Sequence, residues 1–241
     1  MDRFHVQVEQ KLRAFTKLSL RDCPPLATVA STEDNLYDPK REKGPIAAAL
    51  GELFGPEAPV GKLFERICGG ADAQLHDWYA LRTEPGSPRQ PLHYDTPHQE
   101  TPALFAAFIA LQDVEVAMGP TMFLPGTHLR SSLQRREYDL DRTGGLGRCD
   151  AMLAVAAPRF AQLNAGDLVL FDMRILHAGT TNELGTGRQR MMLCVTFRNT
   201  AANECVLGHK PCIRPAYFEQ ITLRSLRSTE QMSLLGSGLP A

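Results

Sequence analysis

The stretch QPLHYDT at residues 90–96 decides how the rest of the chain has to be arranged. His93 and Asp95 stand two positions apart, and side chains at that spacing on an extended backbone point to the same face. An imidazole and a carboxylate on one face supply two of the three ligands of a metal site. His177, which ends the largely apolar run at residues 171–177 and is followed shortly by a glycine, offers the third ligand. The sequence therefore predicts that two distant segments meet at one metal ion.

Two histidines and one carboxylate on one face of a metal ion are the arrangement of non-haem Fe(II) oxygenases. Each part of the pattern is weak by itself, because the chain has seven histidines and a His-x-Asp triplet occurs by chance in many proteins. The combination carries the prediction, since His177 lies far downstream of the pair and is followed by an arginine-bearing strand. The combination favours an iron-dependent oxygenase.

Two arginines, Arg188 and Arg190, open the apolar strand that we predict after His177. By alternation they share one face with Met192, Cys194 and Thr196. An arginine that faces a barrel interior beside a metal is costly unless an anion meets it, and its planar guanidinium fits a carboxylate through two hydrogen bonds. A salt bridge to Asp or Glu at the rim is the alternative for either residue, and periodicity does not separate the two arginines.

Composition and charge limit the class of protein. The chain has 241 residues, of which 43% are hydrophobic and 22% charged, as in globular proteins with a sizeable core. A formal net charge of −1 without a long charged run argues against nucleic acid or an anionic membrane as a partner. Neither a signal-peptide core nor a transmembrane stretch is found, and the six cysteines are scattered. We therefore expect reduced thiols and a cytoplasmic location.

The predicted organisation is a single domain of class mainly β (α+β) with three parts: a helical flank at residues 1–74, a β core at residues 75–200 and a tail at residues 201–241 that packs on the core. A short helix is expected to begin at Pro45. Two further helices are predicted from apolar residues at helical spacing, namely Val8, Leu12, Phe15 and Leu18, and then Val60, Leu63, Phe64 and Ile67. In the tail, Phe218 with Ile221 and Leu223 with Leu226 show the same spacing.

Residues 75–200 are predicted to form short strands separated by Pro and Gly turns. Strands are expected at residues 78–82, 121–124, 168–171 and 190–198, while residues 103–114 suit either a strand or a helix. Many short strands with frequent turns favour a sandwich or jelly roll over alternating βαβ units. Residues 130–148 form a long polar loop, for which a mobile lid and a plain surface insertion are equally good interpretations.

Three motifs, taken in order, resemble those of the phytanoyl-CoA dioxygenase family, a branch of the Fe(II)/2-oxoglutarate-dependent oxygenases. They are Gln90-x-x-His93-x-Asp95, then Gly119-Pro120-Thr121-x-x-x-Pro125-Gly126-Thr127-His128, then His177-Ala178-Gly179-x-x-Asn182 with Arg188. The resemblance covers roughly residues 75–200. Thr127 departs from the serine that is common in the family but keeps a hydroxyl group.

The resemblance implies a double-stranded β-helix (jelly roll) core flanked by N-terminal and C-terminal helices. It implies that His93, Asp95 and His177 bind the iron, and that Arg188, in preference to Arg190, holds the distal carboxylate of 2-oxoglutarate. Two more residues are then expected to line the cosubstrate pocket, namely Gln90 and Thr121. Halogenation is disfavoured, because the related halogenases lack the carboxylate that Asp95 supplies.

The implied reaction uses Fe(II), 2-oxoglutarate and O2 to oxidise, in the first place to hydroxylate, a C–H bond of a small-molecule substrate, with release of succinate and CO2. Two alternatives remain: a cupin-type metalloenzyme that needs no 2-oxoglutarate, and a non-catalytic jelly roll that binds a metal or ligand. The sequence does not choose among an acyl-CoA, a small metabolite and a natural-product scaffold as substrate, nor between a monomer and a homodimer.

Overall fold

A computed structural model of the chain describes residues 15–19, 52–129, 157–202 and 221–228. The described residues are mainly β, with strands β1 (Phe15–Ser19), β2 (Leu75–Thr83), β3 (Leu104–Ala110), β4 (Thr121–Phe123), β5 (Arg159–Phe160), β6 (Leu168–Asp172), β7 (His177–Gly179) and β8 (Arg190–Arg198), and with helices α1 (Pro59–Ile67) and α2 (Leu223–Arg227). In this described part, no helix has both the length and the apolar character needed to span a membrane.

The strands form two sheets. The larger sheet has the order β1-β2-β8-β3-β6, and the smaller one has the order β5-β4-β7. Strand β4 runs antiparallel to both of its neighbours, and β3 runs antiparallel to β6 with Phe105 opposite Asp172. Antiparallel pairing of strands that are distant in sequence brings the chain back repeatedly to the same place, which is what allows separate segments to build one site.

Aromatic side chains fill the space beside the smaller sheet. Phe108 of β3 and Phe171 of β6 lie on the same face of the larger sheet, with their ring centroids 4.9 Å apart. Phe171 also contacts Phe123 of β4, at a centroid distance of 5.0 Å. All three rings are buried. Because a close-packed interior resists displacement, these rings fix the distance between β6 and the β4–β7 pair.

The chain divides into two compact units, one built on Tyr79–Val195 and the other on Leu18–Trp78 with Thr196–Asn203 and Pro211–Ala241. In the second unit, Phe64 of α1 packs against Phe54 and Phe197, with centroid distances of 6.2 and 4.8 Å. Gly61 permits this contact, because a Cβ atom there would lie 2.7 Å from the carbonyl oxygen of Phe54. The boundaries at residues 74/75 and 200/201 that we expect from the sequence stay a prediction.

Several predicted elements are confirmed. Helix α1 carries the apolar residues from Val60 to Ile67 and begins with Pro59, where the missing N–H is tolerated. Strands β2, β4, β6 and β8 lie where they are predicted, and residues 104–110 form a strand and not a helix. In the tail, Leu223 and Leu226 are buried on α2, whose first turn is capped by reciprocal hydrogen bonds between Thr222 and Ser225.

Two local predictions are wrong. Phe15 and Leu18 were expected on a helix but lie in β1, at the edge of the larger sheet. Apolar residues three positions apart fit a short strand as well as one helical turn, and pairing with β2 decides between the two.

The second error concerns His177, which begins β7 and does not end an apolar strand. A turn separates β6 from β7, because the side chain of Asp172 accepts a hydrogen bond from the backbone N–H of Arg174 at 3.0 Å and its carbonyl accepts one from Ile175 at 2.9 Å. The helix expected at Pro45, the polar loop at residues 130–148 and the position of Phe218 lie outside the described residues.

Candidate metal centre and anion pocket

Backbone pairing holds the two histidine-bearing segments together. His93 and His177 form an isolated antiparallel bridge, in which each N–H donates to the other residue's carbonyl oxygen, at 3.0 and 2.8 Å. The two imidazole rings lie 4.5 Å apart, measured between centroids. Two residues further along, the N–H of Asp95 donates to the carbonyl oxygen of Met173 at 3.0 Å. The segment that carries His93 and Asp95 is therefore attached at both ends to the chain around His177.

The bridge brings three possible metal ligands into one cluster. His93, Asp95 and His177 offer ligand atoms that all lie within 4.8 Å of one another. The carboxylate of Asp95 is 3.7 Å from Nε2 of His93 and 3.5 Å from Nε2 of His177. Two imidazoles and one carboxylate are the ligand set of non-haem iron sites with open coordination positions. The cluster can hold a divalent metal ion, and no other group of this kind occurs within the part of the chain that the structure describes.

The other ring nitrogen of each histidine is held by the backbone. Nδ1–H of His93 donates to the carbonyl oxygen of Pro91 at 2.8 Å, and Nδ1–H of His177 donates to that of Ile175 at 3.1 Å. Such contacts fix the tautomer and leave Nε2 available as the ligand atom. Burial, together with the neighbouring His177, lowers the pKa of His93 to about 4. At neutral pH His93 is therefore the uncharged imidazole that a metal requires.

His177 is packed among aromatic rings. The ring of Phe123, its partner across the β4–β7 pair, stacks on it at a centroid distance of 5.8 Å and an angle of 25°. Phe171 lies 5.3 Å away on another side. Only 3% of the His177 residue is exposed. This packing fixes the ring orientation and keeps water away from one side of the cluster.

Arg190 is a buried cation beside β7, the strand that begins with His177. Its Nη2 donates to Oγ1 of Thr83 at 3.0 Å, whereas Nε and Nη1 have no hydrogen-bond partner within the described residues. Only 1% of Arg190 is exposed, and burial lowers the pKa of its guanidinium to about 10. A buried charge that lacks a counter-ion and most of its hydrogen bonds is strongly unfavourable. The arrangement is suited to an anion that is bound from outside.

Gly179, two residues after His177, connects the metal cluster to this cation. Its N–H donates to Oε1 of Gln90 at 2.6 Å, and its carbonyl oxygen accepts from the N–H of Gln90 at 2.8 Å. A Cβ atom at Gly179 would lie 2.8 Å from Oε1 of Gln90 and 3.5 Å from Nη2 of Arg190. Thr121 stands opposite Gly179 in the β4–β7 register and is buried. Gln90, Thr121 and Arg190 therefore surround one small residue.

Arg188 occupies a different place. It precedes β8, its side chain is half exposed, and its Nη1 donates to Oε1 of Glu115 at 2.7 Å. Its guanidinium is thus paired at the surface, while the guanidinium of Arg190 is enclosed. Thr83 is absent from the predicted site, and Gly179 and Asn182 enter the prediction only as positions of the third motif. A threonine at the end of a strand carries no signal by itself, but a glycine two positions after a metal-ligating histidine could have suggested a close approach by another chain segment.

The comparisons with solved structures give weak likenesses. The non-heme α-ketoglutarate-dependent carbocyclase SnoK from nogalamycin biosynthesis is 24% identical, with a TM-score of 0.41 over 53% of this chain and 51% of that one. AviO1 from Streptomyces viridochromogenes is 14% identical, with a TM-score of 0.43 over 85% and 83% of the two chains. HygX from Streptomyces hygroscopicus, solved with nickel and 2-oxoglutarate bound, is 12% identical, with a TM-score of 0.49 over 83% and 76%. The chain spans about half the length of the carbocyclase that it matches.

No curated protein matches the sequence. The sequence model of the family described as phytanoyl-CoA dioxygenase (PhyH) matches residues 29–191, which is more than half of the chain and includes both segments that carry the metal-ligand cluster. The chain therefore belongs to the phytanoyl-CoA dioxygenase family.

Proposed function

We propose that the protein is an Fe(II)- and 2-oxoglutarate-dependent dioxygenase that oxidises a C–H bond of a small molecule and releases succinate and CO2. One observation carries the proposal: a buried arginine without a carboxylate partner in the described residues lies beside a strand whose first residue belongs to a two-histidine, one-carboxylate cluster. A metal ion alone would explain the cluster but not the arginine. A dicarboxylate that reaches from the metal to Arg190 explains both.

His93, Asp95 and His177 would hold the iron, because their ligand atoms already converge and both imidazoles present Nε2. When bound, the iron supplies the activation of O2 and the oxidising power for the decarboxylation of 2-oxoglutarate and for attack on the substrate. The contribution of the protein is to keep the ligands uncharged or anionic as required, to orient the bound acids and to limit water at the site.

We propose that Arg190, and not Arg188, binds the distal carboxylate of 2-oxoglutarate. Nε and Nη1 of Arg190 carry N–H groups without a partner in the described residues, on two different edges of the guanidinium, and a carboxylate can accept at either edge, while Nη2 donates to Thr83. Arg188 already has a carboxylate partner in Glu115. Gln90 and Thr121 would line the same pocket. The amide of Gln90 is oriented by the hydrogen bond from the N–H of Gly179 to its Oε1.

We also propose that the two sheets form a double-stranded β-helix (jelly roll). Two sheets with antiparallel strand pairs, which approach each other through aromatic residues, support a jelly roll, and the family resemblance implies the same fold. Hydroxylation is the proposed outcome, because Asp95 occupies the position that a halide would need. The aromatic rings around His177 favour a substrate with an apolar portion near the metal.

The test is metal-dependent consumption of 2-oxoglutarate. Purified protein supplied with Fe(II), 2-oxoglutarate and O2 is expected to form succinate, and the same mixture without Fe(II) is not. Candidate substrates that carry an apolar C–H group are then expected to increase succinate formation and to gain one oxygen atom by mass spectrometry. Conversion of a substrate with Fe(II) but without 2-oxoglutarate would instead favour a cupin-type enzyme. Metal binding without any consumption of 2-oxoglutarate would favour a non-catalytic binding protein.

A further inference from the structure

Asn182 is a completely buried amide whose side chain is fully engaged. Its Nδ2 donates to the carbonyl oxygen of Thr83 at 3.1 Å and to that of Arg188 at 3.0 Å. Its Oδ1 accepts a hydrogen bond from the hydroxyl of Thr186 at 3.1 Å. An amide that uses both hydrogens of its nitrogen and its oxygen in this way is held in one orientation.

The two carbonyl groups that share Nδ2 belong to the two chain segments that define the setting of Arg190. Thr83 ends β2, and its hydroxyl receives the hydrogen bond from Nη2 of Arg190. Arg188 stands two residues before Arg190, on the chain that enters β8. The side-chain amide of Asn182 therefore links Thr83, the hydrogen-bond partner of the Arg190 guanidinium, to the backbone segment that carries Arg190.

The backbone of Asn182 strengthens the same junction. Its N–H donates to the carbonyl oxygen of Ser87 at 3.0 Å, and its carbonyl oxygen accepts from the N–H of Gly86 at 2.7 Å. Gly86 lies in the turn that follows β2 and has a φ of +84°, a conformation that glycine adopts readily. The end of β2, the turn after it and the entry to β8 are thus held around one side chain.

We propose that Asn182 is a positioning residue for Arg190, which it acts on through Thr83 and the entry to β8, and that it thereby sets the affinity for the distal carboxylate of 2-oxoglutarate. The inference rests on the proposed function, since it needs an anion at Arg190. The ordinary alternative is that Asn182 only stabilises the loop before β8. The two differ in one respect: a purely structural residue changes the stability of the fold but not the 2-oxoglutarate affinity of molecules that remain folded.

The decisive variant is Asn182→Asp. It keeps the size of the side chain and the oxygen that accepts from Thr186, but it replaces both N–H donors by an oxygen that faces two carbonyl oxygens. The matched control is Asn199→Asp. Asn199 is also a buried asparagine, it follows the other end of β8, and its Oδ1 accepts a hydrogen bond from the N–H of Ala201 at 3.0 Å.

Binding of 2-oxoglutarate is measured by calorimetry on the full chain loaded with Ni(II), which does not turn over, and Ni(II) affinity is measured separately. We expect Asn182→Asp to bind 2-oxoglutarate about 10- to 100-fold more weakly, as for other residues that orient a ligand-binding group, with Ni(II) affinity unchanged. Asn199→Asp is expected to bind 2-oxoglutarate as the wild type does. If the buried carboxylate prevents folding, Asn182→Ala, which removes the same donors without adding charge, carries the same expectation.

A folded Asn182 variant with wild-type 2-oxoglutarate affinity would overturn the positioning role while leaving the proposed function intact. Equal weakening in Asn199→Asp would also overturn it, because the effect would then follow any buried Asn-to-Asp change. Ni(II)-loaded wild type that does not bind 2-oxoglutarate at all would overturn both the proposed function and this inference.

Discussion

Two buried arginines in the same unit, Arg174 and Arg190, differ completely in what surrounds them. Arg174 is 6% exposed, and its Nε lies 3.0 Å from each oxygen of Asp172 while its Nη2 lies 2.6 Å from one of them. Its Nη1 donates to the carbonyl oxygens of Gln99 and Glu100. Arg190 is 1% exposed, and its guanidinium has the hydroxyl of Thr83 as its one hydrogen-bond partner in the described residues.

The charge of Arg174 is balanced by a carboxylate within the fold, whereas we propose that the charge of Arg190 is balanced by a bound ligand. The charge of Arg174 is neutralised within the turn between β6 and β7, and this turn presents the carbonyl oxygen of Met173 to the N–H groups of Asp95 and Thr96. Breaking this pair leaves an uncompensated, partly buried carboxylate. Arg190 bears its desolvation without a counter-ion in the described residues, so the protein gains from its charge only when an anion binds.

The largest effect is expected from the metal ligands, which decide whether an anion can be delivered to Arg190 at all. His93→Ala, Asp95→Ala or His177→Ala should abolish iron binding and succinate formation, because each removes one of the three ligands of the cluster. Metal content after dialysis and succinate release are the measurements. Full turnover by any one of the variants would remove that residue from the ligand set, and metal-independent binding of 2-oxoglutarate would leave Arg190 as an anion site without a metal partner.

The second prediction compares the two arginines by the effect of their replacement on the free energy of unfolding. Arg174→Met should lower the free energy of unfolding of the metal-free protein by about 3–5 kcal/mol, because it leaves the largely enclosed carboxylate of Asp172 without its partner. Arg190→Met should leave that free energy unchanged or raise it by about 1–4 kcal/mol, because it removes a charge that lacks a counter-ion. Urea unfolding without 2-oxoglutarate measures both. Equal destabilisation by the two variants would mean that Arg190 is a structural residue like Arg174.

A third experiment compares the two candidate arginines for 2-oxoglutarate. Arg190→Ala should weaken 2-oxoglutarate binding by about 100-fold, or roughly 2.7 kcal/mol, as expected for loss of a charge-assisted pair. Arg188→Ala should have little effect, because its surface pair with Glu115 contributes about 0–1 kcal/mol. Titration of the Ni(II)-loaded variants gives both affinities. The reverse ranking would return the role to Arg188, as the family resemblance implies.

The smallest of the four effects is expected at Gly179. A methyl group there would lie 2.8 Å from Oε1 of Gln90, so Gly179→Ala should displace that amide and cost about 1–3 kcal/mol of stability. It should also weaken 2-oxoglutarate binding by about 10-fold, because Gln90 and Arg190 both adjoin the added group. Gly185→Ala, in open space, is the matched control and should leave 2-oxoglutarate affinity unchanged. If Gly179→Ala binds 2-oxoglutarate with wild-type affinity, Gln90 does not line the cosubstrate pocket.

Local sequence patterns predicted those structural features that depend on residues close together in the chain. The spacing of His93 and Asp95 places them on one face of an extended segment, and the apolar residues of α1 and β8 define those elements. The hydrogen-bonded bridge between His93 and His177 spans residues that are far apart in the chain, so no local pattern encodes it. In this case the order of the family motifs supplied what periodicity could not.

The setting of the two arginines could not be predicted for a physical reason. Alternation places Arg188 and Arg190 on one face only if both belong to the strand, but β8 begins at Arg190. Asn182 and Thr186 hold the preceding residues in a compact turn, in which Arg188 turns towards Glu115. Similarly, Phe15 and Leu18 fit a helix until the pairing of β1 with β2 is known. Strand boundaries and edge pairing are long-range properties, and they decided both cases.

The reciprocal backbone pairing of His93 with His177 has a consequence for metal exchange. Because the two imidazoles stand on residues whose backbones are hydrogen-bonded to each other, and because each Nδ1 is held by a backbone carbonyl, the distance between the two Nε2 atoms is restricted. Divalent ions of similar radius should therefore exchange without rearrangement of the backbone. Discrimination among them then falls to the softness of the donor atoms and to the supply of each ion in the cell.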